Sequence, residues 1–494
     1  MKSKPYLSKS KYLNGLQCPK LLWYEYNQKA DIPKPGAAVQ FAFAEGHRVG
    51  ALAQQLFPNG LHIPRDWQPE KQAQQSLEAA KQRLPLFEAG FVFGQTYALA
   101  DILVPVGEDE WDLIEVKSST SVKEAHYHDA AFQRYVYQGA GLKIRRCYLL
   151  HINKEYVRRG SIDPEKFFVK QDITTESTVL AQMIENEAAA MLKVAAAADF
   201  PAINIGPQCS SPHDCPLIGL CWDFLPAKDN IFTLNSAGQK GFDLLNRGIS
   251  KVTEVPDDYS LKYKQVIQVT AHRSGQPYVD REALLEFLGQ FTYPLYYLDF
   301  ETIAPALPLF EGVRPYQFVP FQFSLSRVDK VGAKPKHFSF LAPDQDDPRP
   351  AVLEQLQKLL GNKGSIIAYS AGFEKRCLKG SADAYPKYQA WVKETNDRFV
   401  DLLEPFQKFY YYHPDQAGRA SLKNVLPALT GQSYEGLEIA DGGVASAEFY
   451  RVTYGQDVAN ADREAVRSAL EKYCDQDTRG MIDVVEALRQ AVKD

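Results

Sequence analysis

The stretch 91-FVFGQTYALADILVPVGEDEWDLIEVKSS-119 reads as two β-strands joined by the acidic turn GEDE. In the second strand Glu115 and Lys117 stand two residues apart and share a face. Ile114 and Val116 point the other way, toward a core. Asp101, near the end of the first strand, falls beside Glu115. Two carboxylates and a lysine on neighbouring strands suit a hard divalent ion, Mg²⁺ or Mn²⁺, with the lysine steadying an attacking water. An exposed strand carries charges in the same pattern, so the surrounding sequence has to decide what these mean.

Outward from this stretch the sequence supplies companions. AHYHDAAFQRYVYQGAGL (125–142) reads as a helix with Gln133 and Tyr137 one turn apart on one face. Upstream, EGHRVGALAQQLF (45–57) places His47 at the start of an amphipathic helix. The order His, D…ExK, QxxxY resembles that of the RecB-type PD-(D/E)XK nucleases. The resemblance implies a restriction-endonuclease-like α/β domain in which His47, Asp101 and Glu115 bind the metal. It makes Lys117 catalytic, and it has Gln133 and Tyr137 support the site and contact DNA.

QCSSPHDCPLIGLCW (208–222) places Cys209, Cys215 and Cys221 at even intervals in a chain with seven cysteines. Clustered cysteines in a reducing compartment ligate metal more often than they form disulfides. Taken alone, the segment suits a zinc knuckle short of one ligand, with His213 available. It also resembles the cysteine segment of the iron–sulfur members of the RecB-like group, which include CRISPR-associated and AddB-type nucleases. That resemblance implies a fourth thiolate from Cys18 in LQCPKLLW and a [4Fe–4S] cluster stapling the domain's two ends, with zinc as the alternative occupant. The five-and-five spacing departs from the C-x2-C-x5-C of those relatives. Cys147, Cys377 and Cys474 read as ordinary buried thiols.

The segment 176–200 reads as one Ala-rich helix ending before Pro201. Residues 226–290 read as a mainly helical connector, in which SAGQKGFDLLNRGISKVTEV (236–255) resembles a helix-hairpin-helix. From 291 the pattern changes to a second α/β domain. YPLYYLDFET, FVPFQFSLSRV and KHFSFLA read as strands, and Asp299 and Glu301 share one strand face. GSIIAYSAGFEKRCL reads as strand, turn and a helix carrying Glu374. EKYCDQDT sets Tyr473 and Asp477 side by side on the last helix. Four carboxylates from separate elements repel one another unless cations lie among them. This set resembles the DEDDy class of 3′–5′ exonucleases on an RNase H-like mixed sheet. It implies Asp299, Glu301 and Asp477 as metal ligands, Glu374 as the fourth acid and Tyr473 as the group orienting water. Glu374 stands where that class has Asp and Ser370 where Asn is frequent; Asp401 is a spare acid nearby.

The expected organisation is therefore 1–225 nuclease domain, 226–290 connector and 291–494 exonuclease-type domain. Over nearly its full length the chain resembles bacterial fusion proteins joining a RecB-like nuclease to a C-terminal domain of unknown function. At 494 residues, 45% hydrophobic and 24% charged, it reads as a globular protein of more than one domain. No apolar run reaches membrane-spanning length, and MKSKPYLSKSKYLNGLQCPK lacks the apolar region of a secretory signal, so a cytoplasmic location is expected. A net charge of -5 does not select a partner. The basic run 143–170 reads either as a solvated face or as a track for phosphates. The expected function is a metal-dependent nuclease on DNA single strands or ends, in repair or defence, with Phe318, Phe321 and Phe323 available to stack bases. A helicase or other repair partner is compatible with this reading. The alternatives are an RNA-processing exonuclease and a non-catalytic nucleic-acid-binding scaffold with a degenerate second site.

Overall fold

A computed structural model describes residues 6–493. It divides into two compact units, Met1–Asp223 with Pro305–Tyr316, and Phe224–Ala304 with Gln317–Asp494. The stretch expected as a separate connector thus belongs to the second unit. Its anticipated helical hairpin is one helix, Gln239–Asn246, followed by a turn at Gly248 and a single 3₁₀ turn, Val252–Glu254.

The sheet of the first unit contains β1 (Leu7–Ser8), β2 (Leu61–His62), β3 (Leu86–Phe93), β4 (Thr96–Val106), β5 (Glu110–Lys117), β6 (Lys143–Ile152) and β7 (Phe168–Asp172). The order is β2-β3-β4-β5-β6-β7, with β1 on β4. β3, β4 and β5 form an antiparallel meander, and β6 joins β5 in parallel through the crossover helix Glu124–Gly139. Alternation along β5 then sorts the core. Trp111 and Leu113 pack under that helix with Phe132 and Val136, while Ile114 and Val116 pack on the opposite face with Val49 and Leu52. Both faces of the sheet are covered. Glu115 lies on the helix side and is buried for that reason.

The single helix expected over 176–200 is two helices, Thr174–Ala181 and Ile184–Ala196. Gln182 N and Met183 N donate three residues back, to Val179 O and Leu180 O, and tighten the turn between them. Pro305–Tyr316 closes the unit. Arg158 Nη1 donates to Pro308 O at 2.7 Å and Leu309 O at 2.5 Å, and Ala306 N donates to the Glu45 carboxylate.

In the second unit β8 (Tyr278–Val279) pairs with β14 (Tyr411–Tyr412). The main sheet comprises β9 (Leu295–Ile303), β10 (Val319–Val328), β11 (Lys336–Leu341), β12 (Ile366–Ala368) and β13 (Phe399–Asp401), in the order β11-β10-β9-β12-β13. β9, β10 and β11 run antiparallel; β12 and β13 are parallel to β9 and to each other. Tyr296, Leu298 and Phe300 of β9 face a core completed by Leu353, Leu356 and Leu378. The other side of the sheet carries buried polar groups of β10. Gln322 donates to Leu470 O at 3.0 Å, and Ser324 pairs with Thr478 at 2.8 Å, fixing the last helix, Asn460–Ala491, to the sheet. Phe321 and Phe323 are fully buried, Phe321 stacked on Phe449, and present no surface to a base. Of the three aromatics only Phe318 is exposed.

Among the described residues no helix is long and apolar enough to cross a membrane.

Candidate functional site

The β4–β5 ladder ends where Ile102 meets Ile114. Beyond that point Asp101 Oδ2 accepts from Val116 N at 2.7 Å, so the carboxylate closes the ladder where a main-chain oxygen would otherwise stand. Around the neighbouring Glu115 the expected residues converge. Lys117 Nζ reaches Glu115 Oε1 at 2.7 Å, and Gln133 Nε2 donates to Glu115 Oε2 at 2.6 Å. Tyr137 O–H donates to Gln133 Oε1 at 3.4 Å, which turns the amide so that its N–H group faces the carboxylate. Gln133 and Tyr137 are fully buried. Enclosed between a helix and a sheet, they offer no exposed surface for the contact with DNA that the resemblance implies.

Two residues at this site were not foreseen. Lys9 Nζ lies 2.9 Å from Glu115 Oε1 and 3.2 Å from Asp129 Oδ1. Asp129, also buried, takes Lys117 at 2.5 Å and Gln133 at 3.1 Å. Asp129 was findable, because it stands four residues before Gln133 on the same helix face. Lys9 carries no such local signal; it arrives because β1 pairs with β4 and leads directly into the helix Lys9–Gln17.

Charge within this network is unevenly shared. Burial, then repulsion from Glu115, pushes Asp101 up to about 7 against the pull of Lys9 and Lys117. Burial works to raise Glu115 as well, but Lys117 and Lys9 at contact distance hold it below the usual carboxylate range. Burial would lower Lys117, and Asp129 and Glu115 overcome that and hold it above the ordinary lysine value. His47, exposed, lines a cavity of about 410 Å³ together with Asp101, His62, Arg65 and Glu88. It lies inside the helix Ala37–Gln54 and not at its start, since the alanine-rich AAVQFAFA continues the helix upstream.

Cys18, Cys209, Cys215 and Cys221 all line one small, mainly apolar cavity with Ile203 and Leu217. None is in a disulfide. Cys18 follows the helix Lys9–Gln17, and Gln17 Nε2 donates to Gln208 O at 2.9 Å and His213 O at 2.7 Å, docking the cysteine loop against it. Cys215 N donates to Cys209 O at 2.8 Å, folding the even spacing into a compact loop. Burial raises the Cys215 thiol, and its three neighbours add to the effect. His213 is exposed and is not among the cavity's lining residues. Among the described residues, a group of three possible ligands whose donor atoms all lie within 4.8 Å of one another is found elsewhere.

That compact group is Asp299, Glu301 and Cys474. β9 presents both acids toward the last helix, whose Cys474 S–H donates to Asp299 Oδ2 at 3.6 Å. Cys474 is a buried thiol as expected, but it lies at the carboxylates and not in plain core. Asp477, one turn on, accepts from the Tyr434 hydroxyl. Glu374 enters from the first turn of the helix Gly372–Ala384, after Ser370 turns the chain with φ 72°. Its Oε2 is buried without a hydrogen-bond partner. Asp401 Oδ1 accepts from Ser370 N at 2.9 Å and Leu403 N at 3.0 Å, so it holds the turn that aims Glu374.

Burial first, then the other acids, raises Asp299 and Glu301 well above the carboxylate range; Lys423 opposes the rise at Glu301. Burial pushes Glu374 up to about 8 and Asp477 up to about 6, the latter moderated by Tyr434 and Lys423. Tyr473 is buried beside the three acids Asp477, Glu301 and Asp299 and is raised by burial and then by their charge. Among the charges acting on these acids, Lys423 opposes the rise at Glu301 and Asp477, and Arg376 opposes it at Glu374.

The basic run 143–170 is largely paired. Lys143, Arg145, Arg146 and Lys166 bridge to Asp109, Asp112, Asp172 and Asp163, and Arg158 holds the carbonyls of Pro308 and Leu309. Four of the eight cations of this run are paired with acids in this way.

The profile of a family described as a domain of unknown function (DUF2779) matches residues 296–421, a range that includes Asp299, Glu301, Glu374 and Asp401. No curated protein matches the chain.

Proposed function

We propose that this chain is a divalent-metal-dependent nuclease that hydrolyses phosphodiester bonds of DNA at single strands or ends, in repair or defence. The observation that carries the reading is the meeting of Asp101, Glu115, Lys117 and Gln133, distant in sequence, around one buried carboxylate. Burying carboxylates this close costs several kcal/mol unless cations compensate. A bound Mg²⁺ or Mn²⁺ would neutralise phosphate charge and activate water; Asp101 and Glu115, with His47 on the same cavity as Asp101, are the residues to hold it. Lys117, partly exposed beside Glu115, is placed to orient water or to steady charge on a phosphate oxygen. Gln133 and Tyr137 fix Glu115 in position.

The antiparallel meander of the first unit, followed by a helical crossover to a parallel strand, supports a PD-(D/E)XK fold. The order β11-β10-β9-β12-β13, with its antiparallel half and parallel half, supports an RNase H-like fold for the second. Glu374 keeps an unpartnered buried oxygen among Asp299, Glu301 and Asp477, which favours a second ion site over a degenerate one. The four thiols of the first unit have the ligand count of either zinc or a [4Fe–4S] cluster, and the resemblance of their segment to that of the iron–sulfur RecB-like nucleases favours the cluster. In that reading Cys18, Cys209, Cys215 and Cys221 staple the two ends of the unit.

The test is incubation of the purified chain with end-labelled single-stranded DNA and RNA, with Mg²⁺, Mn²⁺ or EDTA. Metal-dependent shortening of DNA is expected. Shortening of RNA alone moves the reading to RNA processing, and intact polymers under all conditions end it.

A further inference from the structure

Lys9 belongs to none of the motifs described above, yet it is the residue that joins the two buried acids of the first site from outside the sheet. Its ammonium lies 2.9 Å from Glu115 Oε1 and 3.2 Å from Asp129 Oδ1. Lys117 makes the same pair of contacts, at 2.7 Å to Glu115 Oε1 and 2.5 Å to Asp129 Oδ2. Two lysines therefore contact two acids, while Asp101 accepts from Val116 N and is drawn by both lysines through space. Lys9 is also held in place from both sides. Before it, β1 pairs in parallel with β4, the strand of Asp101, and Ser8 Oγ caps the helix by accepting from Lys11 N at 3.4 Å. After it, the same helix runs to Gln17 and Cys18, anchored at the cysteine loop. Its side chain keeps 23% of its exposure, so solvent reaches it.

We propose that Lys9 is an internal counter-cation of this site, competing with a divalent ion for Glu115 and lowering the site's affinity for that ion. The proposal rests on the metal-site reading of Asp101 and Glu115. Charge decides the direction. A unit positive charge about 3 Å from a ligand oxygen repels an incoming dication, and removing it strengthens binding by about tenfold or more even at a high effective dielectric. A lysine with a purely structural role gives the opposite sign, since its loss loosens Glu115 and weakens binding.

The experiment uses the full chain carrying Asp299→Asn, which silences the second site, and measures Mn²⁺ binding by electron paramagnetic resonance. Lys9→Met and Lys9→Gln are each expected to bind Mn²⁺ about tenfold more tightly, and Lys9→Arg to stay near the parent value. Unchanged or weaker binding in either neutral variant that keeps its circular dichroism overturns the proposal. A measurement on the unmutated Lys9 removes dependence on folding of the variants. Acetylation of Lys9 by acetic anhydride, read by mass spectrometry, is expected to speed up when Mn²⁺ is added, and an unchanged or slower rate overturns the proposal. If the parent chain binds no Mn²⁺, or if Asp101→Asn leaves binding intact, the metal-site reading itself has failed, a result distinct from either of these.

Discussion

Cys474 Sγ lies 3.6 Å from Asp299 Oδ2, and one ligand atom each from Cys474, Asp299 and Glu301 fall within 4.8 Å of one another. A thiol hydrogen is a weak donor, so it does little to relieve the charge of Asp299. The carboxylates of the second unit therefore carry a stability cost when no cation is bound. Asp299→Asn should raise the melting temperature in EDTA by about 2–4 °C, corresponding to roughly 1 kcal/mol for a unit of this size. The same substitution should abolish a Mn²⁺-dependent rise in melting temperature assigned to that unit. Differential scanning calorimetry with and without Mn²⁺ reads both effects, and a lower melting temperature in EDTA contradicts the electrostatic account.

The thiol cavity makes a compositional prediction. Protein purified without oxygen should be brown and carry about four iron atoms per chain. Cys18→Ser or Cys215→Ser should lose the iron and lower the first unit's stability, because a thiolate is missing from either side of the clamp. Metal analysis showing zinc and no iron contradicts the cluster.

Gln133 makes a sharp structural prediction. Gln133→Ala leaves Glu115 Oε2 and Asp129 without their amide donor in a closed interior. Stability should fall by about 1–3 kcal/mol, and cleavage assigned to the first site should fall with it. Urea denaturation measures the first effect; a change below about 0.5 kcal/mol contradicts the buried hydrogen bonds.

His126 sets a pH dependence of the first unit's stability. Burial, with the nearby Lys117 adding, lowers its imidazole to about 4, and its Nδ1 accepts from Lys123 N at 3.1 Å, which requires the neutral ring. The folded value is depressed below the unfolded value of about 6.5. The neutral ring's contribution is therefore complete above that value and is lost as pH falls toward 4. His126→Asn should flatten this part of the stability profile of the first unit. A ring titrating near 6.5 by NMR contradicts the burial of His126.

Much of the site geometry was legible because it is periodic. Period-two spacing put Glu115 with Lys117 and Asp299 with Glu301, and one helical turn put Gln133 with Tyr137 and Tyr473 with Asp477. What escaped depends on tertiary pairing. Lys9 reaches Glu115 only through the β1–β4 pairing, and Pro305–Tyr316 joins the first unit though its flanking strands belong to the second. Phe321 and Phe323 follow the commoner behaviour of strand aromatics, because β10 is buried on both faces and uses them as core. The run of basic residues left two readings open for a related reason, since its partners Asp109, Asp112 and Asp172 are brought close by strand pairing and turns.

The central claim is that two separate carboxylate sites each cut nucleic acid. The most direct measurement is degradation of DNA labelled at either end by the parent chain, Lys117→Ala and Asp299→Ala, each with Mn²⁺. The account predicts that each substitution removes one component of the cleavage pattern: Asp299→Ala the stepwise 3′ shortening, Lys117→Ala the remaining cleavage. If both variants degrade DNA and RNA as the parent does, or if the parent degrades neither, the account is contradicted.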